Sequence, residues 1–300
     1  MFPGLFFNHI TVDDISQLFN KEIEVAVLRL DKLHPVVSGN KWFKLKYYIE
    51  EAKKENKNHI LTFGGAWSNH IVATAAACKM NNLAATGIIR GEEPLQYSST
   101  LLQARELGMK LVFISREEYK AKKIPLELLT DQSYLINEGG YGELGAKGAS
   151  TMLNYCDKKF THYCCAVGTG TMMAGLVNSI PFDKHITGIS VMKNNTGLEE
   201  MIKGLLQIKG RDTDHSGTWE LVHDYHFGGY AKYSRDLTDF MNTFYEKKGI
   251  PSDFVYTGKL FFAISELIRK NYFPVKSKLL VIHSGGLQGN ASLPKGTLIF

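Results

Sequence analysis

Short runs of apolar, often β-branched residues alternate along the chain with longer segments in which apolar positions recur every three to four residues. The apolar runs predict strands at 23–30, 59–63, 84–89, 110–114, 134–136, 163–167, 186–191, 219–222 and 279–282. Several of these runs contain no polar alternation, as expected for strands buried on both faces of a parallel sheet. The longer segments predict helices at 42–54, 69–80, 97–107, 144–156, 172–178, 233–246 and 260–269. The alternation predicts an α/β fold with mostly parallel sheets flanked by helices.

Glycine-rich turns follow several of the predicted strands. Ligands of open α/β sheets bind outside the carboxyl ends of the strands, so these turns are the candidate ligand sites. The first turn has the sequence Thr-Phe-Gly-Gly-Ala-Trp-Ser-Asn-His at 62–70. Ser68 or Asn69 can cap the following helix, and this local role by itself accounts for the residues. The alternative is a carboxylate or phosphate site, because free backbone N–H groups and the helix dipole attract anions.

Two further turns have a similar position. The sequence Gly-Thr-Gly-Thr at 168–171 joins an apolar strand to a helix and is typical of a loop around a phosphate. It is neither a P-loop nor a dinucleotide-binding fingerprint, because the residues and glycine spacings that define those motifs are absent. Plain helix capping explains it equally well. The sequence Ser-Gly-Gly at 284–286 places a single hydroxyl group directly after a strand.

A lysine stands at the start of the first predicted helix. The turn Ser-Gly-Asn at 38–40 precedes Lys41, and Lys44 follows on the same helix face. The positive end of the helix dipole lowers the pKa of a lysine, which is the property that a Schiff-base amine requires. An ordinary solvated helix start is the alternative, and it would be the preferred interpretation without the other three turns.

Composition excludes several classes of function. The chain has 300 residues and a net charge of +5, and its 35 basic and 30 acidic residues form no basic run. Nucleic-acid binding is therefore not expected, whereas small anionic ligands are compatible with the charge. No stretch reaches the roughly 18 apolar residues of a membrane helix. The four cysteines lack a disulfide-like spacing, which favours a reducing, cytoplasmic compartment. The His-x-x-H pattern at 223–226 has no third ligand, so we expect no metal.

Taken together and in order, these motifs resemble those of the pyridoxal-phosphate (PLP) enzymes with the tryptophan-synthase β-type fold. Within that group the chain is similar to the family of 1-aminocyclopropane-1-carboxylate deaminase and D-cysteine desulfhydrase. The resemblance runs from about Leu30 to Leu287. The segments that carry it are 39–45, 64–70, 137–140, 168–176, 255–259 and 283–286.

The resemblance implies roles for individual residues. Lys41 matches the lysine that holds PLP and moves the α-proton, whereas Lys44 matches a neighbour without that role. Ser68 and Asn69 match the turn that binds the substrate carboxylate beside the cofactor, with Ser68 counted among the catalytic residues and Asn69 also among the cofactor ligands. The loop expected to bind the cofactor phosphate consists of Gly168, Thr169, Gly170 and Thr171.

Four further residues complete the implied site. Ser284 matches the residue that faces the pyridine nitrogen, and a hydroxyl group there leaves this nitrogen unprotonated. Tyr230 and Tyr256 match two catalytic tyrosines. Thr257 follows the second of them and is expected to contact the substrate.

The family also implies a domain arrangement and an assembly. A larger PLP-binding domain is expected from residues 1–46 and 152–300, and a smaller α/β domain is inserted at 47–151. The active site is expected between them. The expected partners are a small amino-acid substrate and a second copy of the chain in a homodimer.

Two positions bear on the choice of substrate. The deaminase branch has glutamate and leucine where this chain has Thr257 and Ser284. We therefore predict α,β-elimination of D-cysteine to pyruvate, sulfide and ammonia. Ring-opening deamination of 1-aminocyclopropane-1-carboxylate is the alternative within the family. A non-catalytic α/β protein that binds a phosphate ligand is a more remote alternative, and it predicts a colourless protein because only bound PLP absorbs visible light.

Overall fold

The computed structural model describes residues 4–19, 22–206 and 219–300. Strands in these ranges are β1 Val12–Asp14, β2 Glu24–Arg29, β3 His59–Gly64, β4 Ala84–Arg90, β5 Met109–Ile114, β6 Ser133–Ile136, β7 His162–Val167, β8 His185–Ser190, β9 Trp219–Val222 and β10 Lys278–His283. Helices are α1 Asn40–Lys54, α2 Asn69–Met80, α3 Ser99–Glu106, α4 Arg116–Lys120, α5 Glu143–Ser150, α6 Thr171–Val177, α7 Leu198–Lys203, α8 Arg235–Lys248 and α9 Thr257–Arg269.

The strands form two sheets. A six-stranded sheet has the order β1-β2-β10-β7-β8-β9, and a four-stranded sheet has the order β5-β4-β3-β6. Every pairing in them is parallel except that of β1 with β2. The prediction of an α/β fold with mostly parallel sheets is therefore confirmed.

Strand order brings the two ends of the chain together. Strand β2 pairs along its whole length with β10, so that the N-terminal strands lie in the same sheet as β7 to β10. Strands β3 to β6, which lie between β2 and β7 in the sequence, form the separate four-stranded sheet. This topology has the form expected for a domain inserted at 47–151, and the limits of the two domains stay a prediction.

The predicted elements differ from the observed ones mainly where an element is too short to show a clear pattern of apolar residues. Strand β1 was not predicted because Val-Asp-Asp has no apolar run, and a 2.9 Å ion pair between Asp13 and Arg29 lies beside its pairing with β2. The short helices α4 and α7 were also not predicted. The predicted helix at 144–156 ends at Ser150, and the chain continues as a 3-10 helix over Thr151–Tyr155.

Close helix packing holds the start of α1 in place. The carbonyl oxygen of Phe43 would lie only 1.7 Å from a methyl group on Gly148, so α1 and α5 touch through their backbones. Trp42 and Phe43 are both 1 % exposed, and each such side chain contributes about 1.5–3 kcal/mol of burial free energy. The first turn of α1 is therefore set in a rigid part of the core. No helix within the described ranges has the length and apolarity to cross a membrane.

Candidate active site

The first turn of α1 is packed against the turn that follows β10. Gly39 has a φ of 59° and a ψ of −135°, and a methyl group on it would lie 1.8 Å from the carbonyl oxygen of Ser284. The backbone N–H of Asn40 donates to the same oxygen over 3.0 Å. Only glycine accepts this backbone conformation and this close approach without strain. The contact places Lys41, on α1, and Ser284, after β10, at one location.

Lys41 has the environment of a reactive amine. Its Nζ donates to Oδ1 of Asn40 over 2.9 Å and lies 5.8 Å from the centre of the Tyr256 ring. Burial lowers the pKa of Lys41 to about 8, against the opposing effect of the negative charge on Asp253. A lowered pKa was expected from the helix dipole; the structure shows burial to be the larger cause.

Lys44 lies one helical turn further along and is 5 % exposed. Burial, reinforced by the charge of Lys41, holds the pKa of Lys44 well below its usual value. A methyl group on Gly140 would lie 3.2 Å from Cβ of Lys44, which places this lysine beside the turn at 137–140. Lys41 is half-buried and Lys44 is buried, and a bound anion beside them would favour their protonated forms.

The turn at 62–70 caps a helix, which is one of the two roles considered from its sequence. The Oγ of Ser68 accepts a hydrogen bond from the N–H of Ile71 over 3.3 Å, so Ser68 caps α2. Asn69 is 8 % exposed, and its Nδ2 donates over 3.0 Å to the carbonyl oxygen of Gly286, in the turn after β10. The Oδ1 of Asn69 is buried without a hydrogen-bond partner. An unpaired buried acceptor costs about 1–3 kcal/mol, so this oxygen is available to a donor of a bound ligand, and the predicted role of Asn69 stays a prediction.

His70 follows in the same turn and was given no role from the sequence. Its Nε2 lies 2.9 Å from Oγ1 of Thr62, and that hydroxyl donates to the carbonyl oxygen of Ile136 over 2.8 Å. Because the hydroxyl proton is used there, Nε2 carries the donated proton and Nδ1 is the acceptor nitrogen. Burial, with the charges of Lys44 and Lys41, holds the pKa of His70 well below its usual value. His70 is therefore a neutral ring, and its buried Nδ1 has no protein donor.

The loop at 168–171 joins β7 to α6. Gly170 has a φ of 76° and caps α6 without a side-chain hydrogen bond. The first backbone N–H groups of a helix have no partner within the helix, and the positive end of its dipole lies there. The hydroxyl oxygens of Thr169 and Thr171 are 3.0 Å apart. Amides and hydroxyl groups are thus gathered at one helix start, as a phosphate requires.

Contacts with neighbouring turns place this loop in the same site. A methyl group on Gly139 would lie 3.0 Å from Cγ2 of Thr169, and one on Gly168 would lie 3.2 Å from Cε1 of Tyr256. The Nδ2 of Asn40 lies 3.4 Å from Sδ of Met172 in α6. The start of α1 and the loop therefore face each other across one cleft.

The two predicted tyrosines lie together. The ring centres of Tyr230 and Tyr256 are 6.1 Å apart with the planes at 70°. Burial, with the neighbouring Tyr230, raises the pKa of Tyr256 well above its usual value, and burial also raises the pKa of Tyr230. Both phenols are protonated at neutral pH. Tyr230 is 46 % exposed, so it lies at the mouth of the site, with Tyr256 deeper.

Ser284 and Thr257 differ in the hydrogen bonds that the structure gives them. Ser284 is 6 % exposed, and its backbone oxygen holds Asn40. The Oγ1 of Thr257 donates to Oδ2 of Asp253 over 2.6 Å and accepts from the Asp253 N–H over 2.8 Å. The Thr257 hydroxyl is therefore engaged at the start of α9. Its predicted contact with a substrate stays a prediction, and it requires these bonds to open.

The remaining histidine motifs have structural partners. His283 is 0 % exposed, its Nε2 lies 2.6 Å from the carbonyl oxygen of Pro251, and its Nδ1 accepts from the Gly285 N–H over 3.2 Å. It is a core histidine. His223 lies 3.0 Å from Oε1 of Glu199. Over the part of the chain that the structure describes, no three metal-ligating side chains lie together.

Comparison with known proteins agrees with this geometry. The family model for pyridoxal-phosphate dependent enzymes matches residues 10–285. The chain belongs to this family. Its cofactor is therefore PLP, and the predicted α/β fold of PLP enzymes is confirmed. The remote alternative of a non-catalytic phosphate-binding protein loses its basis.

Individual relatives narrow the family further. A protein of Thermotoga maritima named "Putative 1-aminocyclopropane-1-carboxylate deaminase" is 31 % identical over 285 residues, covering 88 % of this chain and 89 % of that protein. The "Bifunctional D-cysteine desulfhydrase/1-aminocyclopropane-1-carboxylate deaminase, mitochondrial" of Arabidopsis thaliana is 29 % identical, covering 89 % of this chain and 73 % of that protein. A crystal structure titled as an ACC deaminase homologue superposes with a TM-score of 0.79 at 26 % identity, covering 96 % and 93 % of the two chains. The chain is therefore a PLP enzyme of the deaminase and desulfhydrase type.

The residues of this site fit PLP. The helix start at 168–171 suits the phosphate, and the partly neutral amine of Lys41 suits the aldehyde. The unpaired Oδ1 of Asn69 offers an acceptor beside the turn after β10. The structure brings together Lys41, Ser68, Asn69, the loop at 168–171, Tyr230, Tyr256 and Ser284. Their individual roles stay predictions.

Sequence reasoning missed three residues of the site. His70 was quoted only as part of a motif, and Asp253 and Lys259 received no role. A signal existed for Asp253, because an acidic residue shortly before an apolar helical run is a helix-start pattern. It accepts hydrogen bonds from the backbone N–H groups of Val255, Tyr256 and Thr257. No local pattern distinguishes His70 or Lys259 from an ordinary surface residue.

Proposed function

We propose that this PLP enzyme catalyses α,β-elimination of D-cysteine, in which D-cysteine and water yield pyruvate, sulfide and ammonia. The observation that carries the proposal is Ser284. This small hydroxyl residue, where the deaminase branch has leucine, lies against Asn40 at the start of the Lys41 helix. A hydroxyl group beside the pyridine nitrogen favours its neutral form, which suits an elimination more than a transamination.

The protonation states of Lys41, Tyr230 and Tyr256 suit different proton transfers in this reaction. When bound, PLP supplies an electron-withdrawing group that makes the α-proton of an amino acid removable. Lys41, with its pKa lowered to about 8, has a neutral fraction near neutral pH and removes that proton. Tyr230 and Tyr256 stay protonated, because burial raises the pKa of each. One of these hydroxyl groups can donate a proton to the departing sulfur.

The turn at 68–69 orients the substrate. The substrate carboxylate is expected at the N-terminus of α2, where the backbone N–H groups and the helix dipole favour an anion. Asn69 is held by its bond to Gly286, so its free Oδ1 has a defined position. This fixed geometry lowers the entropic cost of reaching a reactive arrangement.

Ring-opening deamination of 1-aminocyclopropane-1-carboxylate is the second candidate. The relative from Thermotoga maritima is named for that activity, and the plant relative is named for both activities. Both reactions use a lysine base, a phosphate loop and the two tyrosines. The names and the site are compatible with either substrate.

The two candidates are separated by assaying both substrates on the PLP-loaded enzyme. Sulfide and pyruvate are measured with D-cysteine, 2-oxobutanoate and ammonia with the cyclopropane amino acid, and L-cysteine tests chirality. We expect D-cysteine to have the higher kcat/KM, and Ser284→Leu to reduce it. Equal or faster turnover of the cyclopropane substrate by the wild type would overturn the choice of substrate.

A matched pair of lysine variants tests the catalytic assignment. Lys41→Ala should abolish turnover and the visible absorbance of bound PLP. Lys54→Ala, an exposed lysine on the same helix, should leave both unchanged. A pyridoxyl label that remains covalently on Lys41→Ala after borohydride reduction and gel filtration would contradict the role of Lys41.

Location and assembly belong to the same proposal. The four cysteines are unpaired, and Cys78, Cys164 and Cys165 are buried. Free thiols support a cytoplasmic, reducing compartment. The homodimer is proposed from the family resemblance, and sedimentation of the purified enzyme measures it directly.

A further inference from the structure

Lys259 is a completely buried amine that the proposed chemistry does not use. It lies in the first turn of α9, three residues after Tyr256, and is 0 % exposed. Its Nζ donates to the carbonyl oxygens of Gly229 over 2.8 Å, His226 over 2.9 Å and Val191 over 3.5 Å. A lysine ammonium has three protons to donate, so this arrangement uses all of them.

Two of these three carbonyl groups belong to the turn directly before Tyr230. That turn follows β9 and has an unusual backbone, with φ values of 52° at Phe227, 92° at Gly228 and 123° at Gly229. The backbone of Phe227 is in the left-handed region, which is unfavourable for a residue with a bulky side chain. Such a conformation persists only where surrounding contacts impose it. Lys259 provides such contacts at both ends of the turn, at 226 and at 229.

The same amine is connected to the second tyrosine. Burial lowers the pKa of Lys259 to about 8, and the negative charge on Asp253 opposes this shift. The same carboxylate accepts the backbone N–H groups of Tyr256 and Thr257. Lys259 therefore lies between the start of α9, which presents Tyr256, and the turn that presents Tyr230. The third carbonyl group belongs to Val191, the residue directly after β8. Lys259 therefore also contacts the end of a strand of the six-stranded sheet.

We propose that Lys259 is a positioning residue, whose ammonium group fixes the 226–229 turn and so holds Tyr230 against Tyr256. The functional part of this inference rests on the proposed role of Tyr230 in catalysis. The structural part, that the amine holds the turn, does not depend on any substrate.

Hydrogen exchange of the PLP-loaded enzyme tests the structural part. Lys259→Met keeps the length of the side chain and removes its donors, and Lys259→Arg keeps the charge. Lys247→Met, on the exposed face of α8, is the matched control. In Lys259→Met we expect the amides of 226–232 to exchange at least about tenfold faster while those of α2 keep their rates, since local opening is governed by local contacts. Unchanged exchange in 226–232 would overturn the proposal.

A double-mutant cycle tests the functional part. The effect of Lys259→Met on kcat/KM is measured in two backgrounds, the wild-type enzyme and the Tyr230→Ala variant. The substrate is whichever of the two candidates is turned over. If Lys259 acts through Tyr230, the expected loss of tenfold or more in the wild type falls to less than about threefold in Tyr230→Ala. Lys259→Arg should recover part of the activity. Equal losses in both backgrounds would show that Lys259 acts elsewhere and would overturn the proposal.

The outcomes separate this inference from the proposed function. Failure of both substrates would refute the proposed function while the exchange experiment still decides whether Lys259 holds the turn. If Lys259→Met does not fold, Lys259→Gln, which retains two donors, enters the same cycle and exchange measurements with the same expected directions.

Discussion

The pKa of Lys41 leads to a prediction that requires neither a substrate nor a chosen reaction. Burial lowers it to about 8 from an ordinary value of 10.5. At pH 7 the neutral, nucleophilic fraction of this amine is then about one-tenth, whereas an ordinary lysine has about one part in 3,000. Lys41 should therefore be roughly 300-fold richer in neutral amine than a solvent-exposed lysine at this pH.

Competitive labelling measures this difference. Protein freed of PLP is treated briefly with an amine-reactive reagent between pH 6 and pH 10.5, and each lysine is quantified by peptide mass spectrometry. Lys54, which is exposed on the same helix, is the internal reference. The labelling of Lys41 should rise with a midpoint near pH 8, well below the ordinary lysine value of 10.5, and the label on Lys54 corrects for the reactivity of the reagent at each pH.

The direction of the effect follows from burial. Because the folded protein holds this proton less tightly than the unfolded chain, Lys41 opposes folding below about pH 8. That penalty diminishes as the pH rises and disappears above the ordinary pKa. Equal midpoints for Lys41 and Lys54 would refute the claim that the site activates this amine by desolvation.

Three further changes have expected outcomes. Gly39→Ala should lower the free energy of unfolding in urea by at least about 1–3 kcal/mol, because its methyl group meets Ser284 at a positive φ; wild-type stability would contradict the close approach. Thr171→Val should weaken PLP binding roughly 10- to 150-fold in a fluorescence titration, the value of a charge-assisted hydrogen bond of about 1.5–3 kcal/mol. Unchanged affinity would mean that this hydroxyl only serves the helix start. Asp31→Asn should cost about 1.5–3 kcal/mol in the same urea assay, because it removes the charge of a buried carboxylate that pairs with Arg29 at 2.6 Å while Asp13 still compensates Arg29, and a loss below 1 kcal/mol would count against that pair.

The order of elements was predictable because its signals are local. The helix Asn69–Met80 was predicted with its observed bounds, since Ser68 and the apolar run after it lie within a dozen residues of each other. The turns at 62–70, 168–171 and 284–286 were recognisable for the same reason. Resemblance to a family then associated these turns with one cofactor, which no single turn could do.

Other features depend on residues far apart in the sequence. The tautomer of His70 follows from a hydroxyl group on β3 that donates to a carbonyl group on β6. Asp253 engages the hydroxyl group of Thr257, whose predicted contact with a substrate stays a prediction. Neither partner could be identified from the local sequence, because side-chain hydrogen bonds carry no periodic signal.

The sequence by itself thus determined most of the strands and longer helices, the glycine-rich turns and the family, since these depend on spacing along the chain. Tertiary structure decided the chemical state of the side chains. Lys41 is a weak base because the folded chain removes it from water, and Lys259 is a structural cation because three carbonyl groups converge on it. The burial of an amine and the meeting of distant carbonyl groups arise only when the chain packs. They cannot be predicted from the spacing of residues in the sequence.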